Sequence, residues 1–318
     1  MYLSAMLVIG SCAFILLIAT RVAHLSGPAG DVVLPAIVPG TRRLARWAAA
    51  VLALAMIARL LAQAYMVGEG DLGMMKPLLA TFWGWGWLVG AASTIVIACG
   101  LAFGRGRRSA WRVIAAGTIG LALSFSLTGH AATAAKPMLF VMLDGIHVMA
   151  AGGWLGTLLV VTVVGLRSVL ALPLERRGHA ASELINAFST FALLCASTLV
   201  VTGFVAAWSH LHTLSALWQT HYGQALFRKL VVIALLALVG AFNWRVIKPR
   251  LANADTIPLL RKSAAVELTI GLVVVILTAI LVGTSPPDSD DAMPAMSLRV
   301  VSLHAVSPVP LTSFQIPK

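Results

Sequence analysis

Eight apolar runs, each long enough to cross a bilayer, constrain this chain more than any other feature. The runs occupy residues 3–23, 43–66, 78–102, 111–129, 138–168, 186–209, 226–245 and 264–283. A helix rises about 1.5 Å per residue, so about 20 residues cross a hydrocarbon core of roughly 30 Å. Open sheet edges are not stable in hydrocarbon, and these runs lack the alternation of membrane β-barrels. The sequence therefore predicts an all-α fold, a polytopic membrane bundle of about eight transmembrane helices, with the fifth run the longest.

The composition agrees with a membrane protein and argues against other classes. Charged residues make up only 11% of the chain, hydrophobic residues make up 59%, and the mean hydropathy is +0.94. Soluble domains carry about 25% charged residues. The net charge of +12 would suggest nucleic acid in a soluble protein, but here the cations lie in short loops between apolar runs, so we expect lipid and no nucleic acid as a partner. The three cysteines lie in different runs without a C-x-x-C pair, which indicates neither disulfides nor zinc.

The distribution of Lys and Arg predicts the orientation. The connections after the first, third, fifth and seventh runs carry most of the cations: Arg42, Arg43, Arg46, Arg105, Arg107, Arg108, Arg112, Arg167, Arg176, Arg177, Lys248, Arg250, Arg261 and Lys262. Cytoplasmic loops are enriched in such residues. We therefore expect these connections in the cytoplasm and both termini outside, in the periplasm. Residues 1–285 form the predicted eight-span domain, and residues 286–318 form a short periplasmic tail.

The fifth run contains the most informative polar residues. His147 lies about ten residues into it, and Asp144 precedes His147 by three residues, which makes them neighbours on a helix. Ionisable residues at such depth usually face the bundle interior or a transport pathway. A carboxylate could orient the imidazole as a metal ligand, or it could accept a proton in a relay. A structural pair that joins two helices is the alternative.

Other candidate ligands lie toward the predicted outer side. His130 ends the fourth run, about 17 residues before His147, so neighbouring antiparallel helices could bring the two imidazoles to one cavity. Histidine with a soft or oxygen donor suits copper, although imidazole also suits zinc, iron and nickel. The weaker metal candidates are His210, His212, His221, Met293, Met296 and His304.

Three further charges fall inside apolar runs. Arg59 lies in the second run, Lys229 in the seventh and Glu267 near the start of the eighth. Intramembrane ionisable residues are functional candidates. Snorkelling toward the interface explains Lys229 almost as well.

The polar motifs resemble those of the CopD copper-resistance membrane proteins over about residues 120–287. Asp144–Gly156 resembles the family's Asp-x-x-His…Trp-x-Gly helix, and Thr128–Ala131 resembles the end of the helix before it. Phe188-Ser189 and Thr202-Gly203 resemble parts of the helix after it. Thr220–Leu226 with Lys229 resembles the seventh span, and Glu267 with Thr284–Pro287 resembles the last span. The first four spans match by hydropathy alone, and the tail after Pro287 extends beyond the family's usual end.

The resemblance implies a copper-handling protein of the bacterial inner membrane that moves copper in resistance or homeostasis. It also implies a periplasmic copper-binding partner of the CopC type. Two alternatives stay open: a haem-binding electron-transfer protein of the cytochrome b type, and an assembly subunit that transports nothing. A bis-histidine haem site needs two deep histidines, and the sequence offers one. We expect no enzymatic activity, because the chain has no Gly-x-Ser-x-Gly, His-Glu-x-x-His or phosphate-binding loop.

Overall fold

The predicted helical bundle is confirmed. The computed structural model describes residues 1–25, 30–105, 107–129, 137–211, 215–250 and 256–282, and this part of the chain contains helices and no strands. Eight helices in it are long and apolar enough to cross a membrane: α1 Tyr2–Val22, α2 Ile37–Val67, α3 Phe82–Phe103, α4 Arg108–Leu127, α5 Met138–Leu170, α6 Leu174–Ser209, α7 His221–Arg250 and α8 Ile257–Val282.

The helices extend beyond the apolar runs where polar residues continue the helical pattern. The fifth apolar run is the longest of the eight runs, but the longest of these helices is α6, which has 36 residues against 33 in α5. The first turns of α6 carry Glu175, Arg176 and Arg177, which are hydrophilic but compatible with a helix outside hydrocarbon. Hydropathy alone marks only the part of a helix that lipid surrounds.

α1 and α5 form the centre of the bundle. In α1, 61% of the most apolar window is buried, and in α5 the figure is 56%, against 11–17% for α6, α7 and α8. α1 packs against α2, α4 and α5, while α3 packs on α4 and α7 packs on α8. Large apolar side chains such as Leu54, Phe103 and Leu193 are exposed on the outer faces. A surface of this kind is suited to lipid, as expected for spans at the edge of a membrane bundle.

Glycines allow the two central helices to touch through their backbones. A Cβ added to Gly156 in α5 would lie 1.9 Å from the carbonyl oxygen of Met6, and one added to Gly10 in α1 would lie 2.1 Å from the carbonyl carbon of Gly156. The hydroxyl of Thr157 donates to the carbonyl oxygen of Gly10 at 3.2 Å. Small residues at such crossings permit close packing of membrane helices.

Several spans contain π-helical segments, which widen the helix and change the direction of the side chains that follow. In the described residues they occupy Phe14–Ala19 in α1, Gly152–Gly156 and Val161–Gly165 in α5, and Asn243–Ile247 in α7. Segments of this type occur often at functional sites. Two of the four lie in the helix that carries Asp144 and His147.

Arginines gather at the end of the bundle where α2 begins and α3 ends, which we call the arginine-rich end. Arg42 donates from Nε to the carbonyl oxygen of Leu101 at 2.9 Å and from Nη2 to that of Ala102 at 2.8 Å. Arg46 donates from Nε to the same Leu101 oxygen at 3.2 Å. These carbonyls lie in the last turn of α3, where helical acceptors have no helical donor, so the two arginines cap that helix.

Candidate metal site

The candidate site lies in the half of the bundle opposite the arginine-rich end. There α5 begins, and Asp144 and His147 occupy its second and third turns as half-buried side chains. The surrounding residues come from the end of α4, the end of α6 and the start of α7. Helices of alternating direction therefore bring together polar residues that are as far as 103 positions apart, from Ser126 to Lys229.

Thr202 of α6 orients the imidazole of His147. The distance from Nδ1 to the Thr202 hydroxyl oxygen is 2.8 Å. That hydroxyl directs its own proton to the carbonyl oxygen of Thr198, at 2.7 Å. Its oxygen is then left to accept, so this network assigns the ring proton to Nδ1 and leaves a lone pair on Nε2. A histidine in this tautomer is prepared to bind a metal ion through Nε2.

Gly203 lies beside the ring. A Cβ added to Gly203 would lie 3.6 Å from Cε1 of His147, which is an ordinary van der Waals contact, so the ring packs against this turn of α6 without requiring a glycine. In the Thr202-Gly203 pair, the Thr202 hydroxyl is therefore the group that positions the ring.

The predicted pairing of Asp144 with His147 is not the arrangement in the structure. Asp144 instead lies beside Ser126 of α4 and interacts electrostatically with Lys229 of α7. No hydrogen bond joins Asp144 to His147 among the residues that the structure describes. A spacing of three places the two side chains about 60° apart around the helix, so each of them turns to a different neighbouring helix.

Lys229 is the residue whose importance sequence reasoning underestimated. It is half-buried in α7, and its charge interacts with both Asp144 and His147. Snorkelling to the interface would have turned it away from the bundle, but the structure turns it inward. The sequence signal that could have indicated this inward position is its place in the CopD-like segment, nine residues after Thr220.

Arg59 holds the end of α4 beside the site. Its Nη1 donates to the Thr128 hydroxyl at 3.0 Å, and its Nη2 donates to the Thr128 carbonyl oxygen at 3.3 Å. The guanidinium also lies over the ring of Trp83, 5.5 Å from the centroid. Tyr2 of α1 interacts electrostatically with both Arg59 and Asp144, so it connects this group to the site.

Several of the predicted ligands fall outside the described residues. They are His130, His212, Met293, Met296 and His304, and the side chain of His210 is also outside them. His221 is described and is exposed at the first turn of α7, where Thr220 caps the helix through a bond from the Gly223 N–H. Within the described residues, no group of three or more His, Cys, Asp and Glu side chains could hold a metal ion.

The cysteines behave as packing residues where the structure describes them. Cys12 is buried in α1 and donates to the carbonyl oxygen of Trp111 at 3.3 Å. Cys195 is buried in α6, facing Gly153 of α5, whose added Cβ would lie 3.0 Å from the sulfur. Cys99 is exposed on α3. All three are free, and none adds a thiolate to Asp144 and His147.

The site therefore offers one oriented imidazole nitrogen and one carboxylate, with a lysine charge beside them. Imidazole binds copper, zinc, iron and nickel, and carboxylate oxygen accompanies it in many sites. A cation at this depth needs such donors, because hydrocarbon supplies none. Two donors could bind a metal ion transiently. A third donor would have to come from another residue.

Comparison with known proteins gives the chemical context. Residues 182–281 match the family model "Copper resistance protein D", and residues 1–137 match "Copper resistance protein D-like, N-terminal domain". The chain is 26% identical over 268 residues to the "Copper transport protein CutJ" of Bacillus subtilis (strain 168). The aligned region covers 79% of this chain and 47% of that protein. The chain thus spans about half the length of this relative. No solved structure matches.

The two family models cover most of the chain but leave residues 138–181 between them, which include α5 with Asp144 and His147. The N-terminal model contains α1 to α4, and the C-terminal model contains Thr202, Lys229 and Glu267. These matches support a copper-handling protein, and its structure is the all-α bundle of eight spans. The chain belongs to the copper resistance protein D (CopD) family.

Proposed function

We propose that this protein moves copper across the bacterial inner membrane, and that the ion passes the nitrogen Nε2 of His147 and the carboxylate of Asp144. One observation carries the proposal: Thr202 fixes the His147 ring with Nε2 available, inside an apolar bundle and beside a carboxylate. Among the described residues, Nε2 of His147 makes no hydrogen bond, whereas both ring nitrogens of a histidine with a structural role are usually bonded. The family match and the printed name of the relative CutJ support copper as the cargo.

The proposed orientation follows the positive-inside rule. We place the arginine-rich end in the cytoplasm and both termini in the periplasm. Asp144 and His147 then lie in the periplasmic half of the membrane. Copper bound there has left the periplasmic surface but has not yet crossed the central contact of Gly10 with Gly156.

Lys229 serves as an internal counter-charge in this scheme. Without copper, its ammonium group offsets the cost of the Asp144 carboxylate in a membrane interior. A copper ion that binds Asp144 and His147 meets this positive charge and is held less tightly. The repulsion between the copper ion and the ammonium group favours release of the ion, and a transporter must release its cargo as well as bind it.

Further ligands and a partner complete the scheme. His130 is the proposed third donor, since Arg59 fixes the chain at Thr128, two residues before it. His210, His212 and His221, with Met293, Met296 and His304 of the tail, are the proposed periplasmic capture groups. A CopC-type copper-binding protein would deliver the ion to them. The protein acts as a carrier without chemical change of its cargo.

The experiment is copper flux into proteoliposomes that contain the purified protein. His147→Ala should abolish the flux, whereas His179→Ala, an exposed histidine near the arginine-rich end, should leave it unchanged. Equal flux in the two variants, with equal reconstitution, would exclude His147 from the path. Metal analysis and a visible spectrum of the same preparation separate the alternatives, because a cytochrome b-type protein shows a Soret band and an assembly subunit moves no copper.

A further inference from the structure

A second polar cluster lies in the half of the bundle near the arginine-rich end. Glu267 of α8 is only 7% exposed, although just 17% of the most apolar window of this helix is buried. It lies ten residues after Ile257, where α8 begins, and three residues after Ala264, where the apolar run begins. A buried carboxyl group in an apolar run is costly when ionised and usually marks a pathway or a proton-carrying group.

A chain of hydrogen bonds leads from the arginine-rich end to this carboxyl group. The Ser263 hydroxyl, one turn nearer that end, donates to Oδ1 of Asn243 in α7. The Asn243 amide donates from Nδ2 to Oε1 of Glu267. Gly240, one turn before Asn243, leaves space beside the carboxyl group, since a Cβ there would lie 3.8 Å from Oε1.

The backbone of α7 changes from α-helix to π-helix at Asn243. The π-helical segment Asn243–Ile247 begins at the residue that bridges Ser263 and Glu267. Segments of this type are frequent at functional sites. The cluster is therefore more than one polar residue tolerated in a helix interface.

No cation neutralises Glu267 in the part of the chain that the structure describes. The nearby cationic side chains Arg245, Lys248, Arg261 and Lys262 make no ion pair with it, and three of them are exposed. The ionisable residues of α7 that precede Asn243 are at its far end: His221, Tyr222, Arg228 and Lys229. The α5 residues that pack against α8, within Thr157–Gly165, carry no ionisable side chain. A proton bound to Glu267 would remove the charge that these residues leave unpaired.

The donors identify the chemistry of what binds. A carboxylate, an amide oxygen and a hydroxyl are hard oxygen donors, which suit a proton and do not suit Cu(I). Gly271 touches Leu155, where an added Cβ would lie 2.5 Å from Cδ1. Because α5 and α8 are antiparallel, this contact places Glu267 about 18 Å from His147 along the membrane normal. The two polar clusters are therefore separate sites.

We propose that Ser263, Asn243 and Glu267 form a proton-binding site that exchanges protons with water at the arginine-rich end and couples them to copper movement. The inference rests on the proposed copper transport. The Glu267 carboxylate takes one proton from water to become a neutral carboxyl group, and it returns the proton to water when the carboxylate forms again. No other reactant is consumed.

The test uses proteoliposomes with a pH-sensitive dye and a copper indicator inside. The unaltered protein should move protons together with copper, and Glu267→Gln should lose the proton signal and the pH dependence of the copper rate. Glu183→Gln, the same change at a half-buried position of α6, should behave like the unaltered protein. Copper movement with no proton movement in the unaltered protein, or an unchanged proton signal in Glu267→Gln, would overturn the coupling.

Infrared spectroscopy of the purified protein separates this inference from the proposed transport. A carboxyl band that appears on acidification and disappears in Glu267→Gln, but not in Glu183→Gln, would support the proton site even if no copper flux is found. Absence of any such difference between the two variants would overturn it. Size-exclusion profiles and melting temperatures of both variants verify that they fold.

Discussion

The ring of His147 and the hydroxyl of Thr202 are joined by a 2.8 Å hydrogen bond between α5 and α6, 55 residues apart in sequence. The bond fixes the tautomer of the imidazole, because the Thr202 proton is already directed to the Thr198 carbonyl oxygen. Orientation by a partner of this kind raises the affinity of a histidine ligand. Thr202 is thus a positioning residue for the proposed copper site.

Replacement of Thr202 by Val should weaken copper binding by about 10- to 100-fold, since the loss of an orienting partner has effects of this size. Val keeps the shape and removes the acceptor, and Thr202→Ser should restore most of the affinity. The measurement is competition with a chromogenic copper chelator in detergent. Thr198→Val is the matched control, because the half-buried Thr198 side chain donates to the Leu194 carbonyl oxygen, one turn before it in α6. Equal affinities in the two Val variants would show that the hydroxyl does not orient His147.

Lys229 should lower copper affinity through its charge. Lys229→Met should bind copper about tenfold more tightly, which corresponds to about 1.4 kcal/mol of repulsion removed, and should release it more slowly. Lys229→Arg keeps the charge and should bind like the unaltered protein. Arg228→Met makes the same change in net charge at the neighbouring exposed position. If both Met variants shift the affinity equally, the effect comes from the general surface potential and not from the site.

Arg59 should stabilise the end of α4 in a way that lysine does not reproduce. Arg59→Lys loses the paired bonds to Thr128 and the planar contact with Trp83, because an ammonium group cannot match that geometry. We expect a loss of about 1–2 kcal/mol in the free energy of unfolding. We also expect slower copper transport at low copper concentration. Thermal unfolding in detergent measures the change in stability. Arg43→Lys, the same change at an exposed position, is the control. Similar melting temperatures for the two variants would contradict this role.

The fold was predictable because hydropathy reports which parts of a helix lipid surrounds. The third run, 78–102, corresponds to Phe82–Phe103, and the eighth, 264–283, corresponds to Ile257–Val282. The earlier start of α8 was missed because Arg261 and Lys262 interrupt the apolar pattern but not the helix. Hydropathy contains no information about which spans are neighbours, so the central position of α1 against α5 had to come from the structure.

The site was predictable in its location but not in its contacts. Depth in an apolar run singled out His147 and Asp144, since polar groups are costly there. Their partners depend on the rotation of α6 and α7 about their axes, which packing determines: the contact of Gly153 with Cys195 and Phe191 turns Thr202 toward His147. Sequence spacing within one helix suggested an Asp144–His147 pair because it cannot represent these neighbours.

Gly156 should be the most sensitive glycine of the central helices. Gly156→Ala places a Cβ 1.9 Å from the Met6 carbonyl oxygen, and backbone cannot move aside as a flexible side chain can. Forcing α1 from α5 also weakens the bond from Thr157 to Gly10, so we expect a loss of about 1–3 kcal/mol. Gly240→Ala is the control, because its Cβ would meet nothing closer than 3.8 Å. Thermal unfolding of both variants in the same detergent makes the comparison, and a Gly156→Ala protein as stable as the Gly240→Ala protein would contradict the backbone contact of α1 with α5.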